Sequence, residues 1–318
     1  MDAETLNRLR ERLPESHLSS RLIRQTEHVA MRLDVGTIRL FRFYWENFDL
    51  MPKALGVVLK LTGLMGRARA NAVSYRLREL DIPIAGLPPV FDGYRILHLS
   101  DLHIDEVLDG GVGLCRMLEN LEYDLCVLTG DYRFDTYGAF DKVIERMSEL
   151  LSVLKGPDGV VGILGNHDFI EMVPGLEGLG MRILLNESVA IERGGHRIWI
   201  AGLDDAHYYE VHDLERATAD IDSSQPLVLL VHSPELIEEA GAVGVDLYLC
   251  GHTHGGQVCL PGGIPVIGNA RCARGKLSGR WSHGRMQGFT HRGTGSSGLP
   301  VRINCPPEIA VHRLIRAS

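Results

Sequence analysis

The segment YRILHLSDLH, residues Tyr94 to His103, decides how the rest of the chain is read. An apolar run of strand length breaks off into Asp and His, so a buried strand ends in groups that bind protons or cations. The same punctuation recurs in LCVLTGD (Leu125–Asp131), GVVGILGNHD (Gly159–Asp168), PLVLLVHS (Pro226–Ser233) and DLYLCGHTH (Asp246–His254), with RIWIAG (Arg197–Gly202) as a further strand. Between these runs Gly111–Glu122, Phe140–Leu154 and Pro234–Ala242 carry apolar residues at helical spacing, and Pro234 suits a first helical turn. The alternation predicts an α/β domain from about residue 95 onward.

In an open α/β sheet, residues distant in sequence meet in the crevice at the carboxyl ends of the strands. Asp101, His103, Asp131, Asn166, His232, His252 and His254 are therefore seven candidate ligands for one site. Carboxylate, amide and imidazole suit Mn²⁺, Fe or Zn²⁺ rather than thiolate-selected metals or an all-oxygen Ca²⁺ site. The set is too large for one such ion. Shared between two ions about 4 Å apart, with one carboxylate bridging, it leaves room for water and substrate. Taken singly, an HxH is commonly a surface loop and a GD dipeptide a turn. The weight lies in five such motifs in order, each at or near a strand end.

The series SDLH, GD, GNHD, the VH after an apolar strand, and GHTH resembles that of the calcineurin-like metallophosphoesterases, over roughly residues 93–315. The resemblance implies an αββα sandwich with two divalent metals, manganese expected and iron or zinc as alternatives. It implies Asp101, His103 and His254 on the first metal, Asn166, His232 and His252 on the second, and Asp131 bridging. It also implies that His167 of GNHD acts on the phosphoryl oxygens or the leaving group. Protein phosphatases of that superfamily continue GD as GDxxDR, whereas this chain reads GDYRFD. Phe134 stands where the orienting Asp would be, and Asp135 does not simply inherit its role. The ending SSGLPVRINCPPEI after GHTHGGQ resembles a bacterial subfamily that includes phosphoesterases similar to UDP-2,3-diacylglucosamine pyrophosphatases of lipid A synthesis. The expected activity is hydrolysis of a phosphoester or phosphoanhydride by metal-activated hydroxide. A soluble nucleotide or cyclic-nucleotide phosphodiesterase is the alternative, and a metal-bearing scaffold without catalysis a third reading.

Around this centre, 318 residues with 45% apolar content fill a substantial core, and the net charge of −8 gives no expectation of nucleic-acid binding. The charge is uneven: residues 1–80 carry 14 Lys and Arg against 9 Asp and Glu, so the remainder is strongly acidic. Arg271, Arg274, Lys276, Arg280, Arg285, Arg292 and Arg302 fall in a span from His252 to Pro307 that lacks Asp and Glu, and this strip is expected to attract a polyanion. Arg133, Arg271, Arg274 and Lys276 are the candidate substrate contacts. Residues 1–90 are read as a basic helical region and 91–318 as the catalytic domain, with the boundary near Pro88–Asp92. Past Gly251, Met286–Arg292, Val301–Cys305 and Ile309–Leu314 suggest a second, more antiparallel sheet.

Phe41, Phe43, Tyr44, Trp45 and Phe48 lie close to Arg39 and Arg42, ahead of ALGVVLKLTGLMGRARA. The pattern predicts either a membrane-surface element or a helical cap. A membrane-surface element would favour a lipid-linked phosphate as substrate; otherwise a small phosphorylated molecule is expected. The opening MDAETLNRLRERLPES has no apolar signal core, and charged residues interrupt every apolar run long before the roughly 20 residues of a span. The expected location is cytoplasmic, or peripheral on the inner face of the membrane. The six cysteines show no CxxC spacing and read as free thiols.

Overall fold

A computed structural model describes residues 3–33, 50–266 and 268–317. The N-terminal region supplies helices α1 (Ala3–Arg12), α2 (Glu15–Leu33), α3 (Leu50–Leu61) and α4 (Met65–Asn71). The chain continues through β1 (Arg76–Ile84), β2 (Arg95–Leu99), α5 (Val112–Leu118), β3 (Leu125–Leu128), α6 (Asp141–Val153), β4 (Val160–Gly162), α7 (Val173–Gly178), β5 (Met181–Ile183), β6 (Glu187–Arg193) and β7 (His196–Gly202). It closes with α8 (Leu214–Thr218), β8 (Leu227–Leu230), α9 (Ile237–Ala242), β9 (Leu247–Cys250), the short pair β10 (Cys259–Leu260) and β11 (Ile264–Pro265), β12 (Gly279–His283), β13 (Met286–Thr290) and β14 (Glu308–Arg316).

Two six-stranded sheets form, in the orders β1-β14-β2-β3-β4-β5 and β12-β13-β9-β8-β7-β6. In the first, β2 to β5 run parallel, with β14 antiparallel to β2 and parallel to β1. In the second, β13, β9, β8 and β7 run parallel, flanked by antiparallel β12 and β6. Side chains alternate across each strand. Ile96, Val127, Val228 and Leu249 therefore fill the layer between the sheets. Leu97, Leu99 and Leu128 face helices α5 and α6 on one outer side, and Leu229, Val231 and Tyr248 face α8 and α9 on the other. This is an α/β sandwich of four layers, and its parallel strands release their carboxyl ends along one edge.

Two expectations are corrected here and one agrees with the structure. Residues 76–84 are not part of a helical region but strand β1, whose first half is solvent-exposed and charged; as an edge strand it tolerates Pro83. The C-terminal runs do not build a separate antiparallel sheet, because β13 extends the second sheet in parallel and β14 inserts between β1 and β2. Val301–Cys305 makes only a single bridge, Val258 to Ile303. The six cysteines are free thiols.

The N-terminal helices lie on the domain. Leu9 and Leu13 join the core under α7, and Arg12 pairs with Glu177 and Glu187. From α2, His17 meets Asp204 at 2.8 Å, and Arg21 donates to the Asp168 carbonyl at 2.7 Å while stacking on Tyr209. Gln25 holds both Ile170 N–H and Glu171. Leu59 and Ala68, from α3 and α4, pack on Val301. The aromatic cluster Phe41–Phe48 lies outside the described residues. Among the described residues, no helix is long and apolar enough to cross a membrane.

Candidate metal centre

All seven predicted ligands are buried and converge at the strand ends. Asp101 and His103 follow β2, Asp131 follows β3, Asn166 follows β4, His232 follows β8, and His252 and His254 follow β9. Five of them, Asp101, His103, Asp131, His252 and His254, hold positive φ between 42° and 69°. Non-glycine residues seldom adopt this conformation, and it costs roughly 1–3 kcal/mol each, which tight packing of the surroundings must offset. Glycines provide that close packing. A Cβ on Gly251 would stand 2.2 Å from an Asp101 carboxylate oxygen, and one on Gly165 would stand 2.2 Å from Asp131 Oδ1.

Asp131 lies at the middle of the group. Its Oδ2 is 3.3 Å from His232 Nε2 and 3.9 Å from both His103 Nε2 and His167 Nε2. His254 Nε2 is 3.2 Å from His103 Nε2 and 3.5 Å from Asp101 Oδ1. Asn166 Oδ1 is 2.9 Å from His232 Nε2 and 3.0 Å from His252 Nδ1. Three overlapping groups are close enough to hold an ion: Asp101 with His103 and His254; His103 with Asp131 and His167; and Asp131 with His232 and His252.

The outer nitrogens fix which atoms face inward. Nδ1–H of His103 donates to Arg133 O at 2.6 Å, and that of His232 to Thr129 O at 2.7 Å. Nε2–H of His252 donates to Asn269 O at 2.7 Å. A carbonyl only accepts, so in the neutral rings the inward nitrogens present lone pairs. There they face Asn166 Oδ1 and the Asp131 carboxylate, acceptor against acceptor, so a proton or a metal cation belongs between them. Asn166 Nδ2, buried without a hydrogen-bond partner among the described residues, adds an unused donor at the same place. The donor set fits divalent metal ions.

The charges agree with that placement. Burial, and then His167, pushes His103 down to about 3, and His254 is likewise held well below its ordinary value by burial and then by His103. Burial alone would depress His232, but the Asp131 carboxylate outweighs it and lifts the imidazole well above its ordinary value. Asp131 is correspondingly held low: burial opposes ionisation, and His232 and His167 overcome it. Asp101 is pushed up to about 6 by burial, relieved in part by His232.

His167 lies against this group, its Nδ1–H on the Phe134 carbonyl at 2.5 Å and its backbone N–H on Asp131 Oδ1. Phe134, which interrupts the GDxxDR pattern, thus orients the imidazole through its main chain. Asp168, the last residue of GNHD, carries a role that its motif position does not reveal. Its buried carboxylate accepts from the backbone N–H groups of Asp131, Tyr132 and Gly165 and ties two ligand loops together. No motif marks His207: its ring lies 4.2 Å from that of His252, and its Nδ1 is 2.9 Å from Glu235.

The predicted basic strip does not form. Arg302 is fully buried, its guanidinium bonded to the carbonyls of Arg292, Gly293 and Gly295 and 3.3 Å from His254 Nδ1. Arg280 and Arg285 bond to Asp81 O and Gly244 O, away from the ligand group. Arg271 and Arg274 are exposed, the latter reaching Pro265 O, and Lys276 lies over the Trp281 ring. Arg133 is buried, bonded to Tyr137 O and Gly138 O and stacked on Phe169. A linear run of cations does not set where their side chains point.

Several known proteins are similar to this chain. YkoQ of Bacillus subtilis, described as an uncharacterized metallophosphoesterase, is 26% identical over 81% of this chain and 97% of its own. A second B. subtilis protein of the same description, YkuE, is 31% identical over 72% of this chain and 81% of its own. Phosphodiesterase YaeI of Escherichia coli is 27% identical over 70% of this chain and 82% of its own. Residues 94–256, which carry every one of the candidate ligands, match the family described as calcineurin-like phosphoesterase, and the chain belongs to that family of metal-dependent phosphoester hydrolases.

Proposed function

We propose that this chain hydrolyses a phosphoester or phosphoanhydride with two divalent metals, which Asp101, His103 and His254 on one side and Asn166, His232 and His252 on the other would hold, Asp131 being shared between them. The observation that carries the reading is the central position of the Asp131 carboxylate among His103, His167 and His232. Two divalent cations there, manganese in our reading, would supply Lewis acidity that lowers the pKa of water and offsets phosphoryl charge. The protein's own groups do the rest. Asn166 Nδ2 is free to donate to a phosphoryl oxygen. The oxygen of water bonds to phosphorus in line and gives up a proton to solvent, the bond from phosphorus to the leaving oxygen breaks, and that oxygen takes a proton from His167 Nε2, which is reprotonated from solvent. Phe134 O holds the ring in register for that transfer. In His167→Ala, metal content is expected to stay at wild type while turnover of bis(p-nitrophenyl) phosphate with Mn²⁺ falls about 10²–10⁴-fold. Activity within a few-fold of wild type would remove His167 from the reaction.

A lipid-linked phosphate, such as a UDP-diacylglucosamine-like diphosphate, is the substrate class we favour, on the evidence of α3 and α4. Val57, Val58 and Leu61 are 55%, 54% and 82% exposed. The stretch from Leu50 to Arg78 holds Lys53, Lys60, Arg67, Arg69, Arg76 and Arg78 and no acidic residue. An exposed apolar ridge among unopposed cations suits an anionic bilayer surface. Co-sedimentation of the full chain with phosphatidylglycerol vesicles is expected, with loss in Val58→Asp/Leu61→Asp; equal pelleting of both proteins refutes the membrane contact. A soluble phosphodiester is the second reading, favoured by the phosphodiesterase description of YaeI.

A further inference from the structure

A cavity of about 470 Å³ opens beside His167. One wall is a single face of α3, where Lys53, Gly56, Val57 and Lys60 recur at intervals of three, one and three residues. That spacing places both lysines on one stripe, two turns apart. Phe134, Leu299 and His167 also line the cavity, and Leu299 reaches within 3.9 Å of where a Cβ on Gly56 would stand. Asp135 is the one carboxylate among the lining residues, and neither lysine has an ion-pair partner among the described residues. The hydrolytic centre itself is built from carboxylate, amide and imidazole groups. It does not use these two ammonium groups or the apolar surface between them, which border the cavity on the α3 face beside the exposed Val58 and Leu61.

We infer that this cavity is a leaving-group subsite for a second phosphate bearing an apolar substituent, with Lys53 and Lys60 as its cation pair. The inference rests on the hydrolytic reading above and narrows it to phosphoanhydrides. The water oxygen bonds to the phosphorus at the metal centre and the bridging P–O bond breaks. The second phosphate departs into the cavity as a protonated phosphomonoester. Each ammonium offers donors to phosphate oxygens, and charge-assisted contacts of this kind are stronger than neutral ones. Val57, Phe134 and Leu299 accommodate the substituent, which is either a lipid or a nucleoside.

The test compares the full wild-type chain with Lys53→Gln/Lys60→Gln on three substrates in Mn²⁺: CDP-dioctanoylglycerol, diadenosine diphosphate and bis(p-nitrophenyl) phosphate. Only the first two carry a second phosphate. Their kcat/KM is expected to fall at least about tenfold, while that for bis(p-nitrophenyl) phosphate stays within about twofold. Whichever diphosphate has the higher wild-type kcat/KM identifies lipid or nucleoside as the substituent. An equal loss on all three, or no loss on either diphosphate, overturns the subsite. Calorimetry on the metal-free chain gives a readout that does not need turnover. Octyl phosphate is expected to bind the wild type more tightly than methyl phosphate does, and more tightly than it binds the double variant. Equal affinities overturn the subsite even if no substrate is hydrolysed, whereas absent turnover with this binding pattern retained would sink the hydrolytic reading alone.

Discussion

Arg302→Met removes a fully buried cation that has no ion-paired carboxylate among the described residues and is solvated instead by main-chain oxygens. Its fork bonds five carbonyls: Arg292 O at 2.7 Å, Gly293 O and Gly295 O at 3.2 Å, Cys305 O at 3.3 Å and His254 O at 3.4 Å. Orphaning a buried polar group costs about 1–3 kcal/mol, so five at the low end amount to about 5 kcal/mol. Relief from desolvating a guanidinium offsets part of this, leaving a loss of about 3 kcal/mol. In a chain of 318 residues that corresponds to a fall in Tm of roughly 4–5 °C. The segment released also carries His254, so metal should be lost from the group Asp101, His103 and His254 before the group Asp131, His232 and His252. Thermal unfolding with elemental analysis of the purified variant measures both. Arg302→Lys keeps the charge but not the fork, and is expected to fall between. A Tm within about 1 °C of wild type, together with full metal content, would refute the view that Arg302 supports the ligand loop.

Gly251→Ala puts a methyl 1.9 Å from Ser100 Oγ and 2.2 Å from Asp101 Oδ2, so the first ligand group must open; measured metal affinity is expected to fall at least about tenfold, and unchanged affinity counts against the packing argument. Asp204 is buried with Arg21 and His17, and although burial opposes its ionisation, Arg21 and then His17 hold its carboxyl below the ordinary range. A depressed carboxyl contributes stability that is present above its unfolded value, near pH 4, and lost as pH falls through the lower folded value. Helix α2 is therefore expected to stay protected from hydrogen exchange down to about pH 4 and to release below it, whereas Asp204→Asn releases it at pH 7; full protection in that variant refutes the anchor.

The parallel strands were legible because burial on both faces leaves continuous apolar runs, and their ends were legible because Asp, Asn and His stand there against the apolar background. Strand β1 was not: RLRELDIPI is charged and exposed along its first half, and it becomes a strand only because β14 offers a parallel edge. Contacts made by backbone carbonyls were equally invisible. The GDxxDR pattern calls for an acidic residue to orient His167 where this chain has Phe134, but a carbonyl is supplied by any residue. His207 and Glu235 lie 28 residues apart in segments without a strand-end motif, and only the packing of the β7 and β8 loops joins them.

Arg302 and the lysines of α3 make the same point about charge from opposite directions. In the sequence, Arg302 belongs to the longest acid-free basic span and looks like a substrate contact. Burial and five carbonyls turn it into a support for His254, because a guanidinium fork can be satisfied entirely by main-chain oxygens. Lys53 and Lys60 interrupt an apolar run and look like the reason it cannot be a membrane span. On a helix, though, their seven-residue separation aligns them along one wall of the cavity beside His167. Charge counts along the chain therefore predict how much attraction for phosphate a region holds. The direction of each side chain decides whether that attraction is used on a substrate or consumed within the fold.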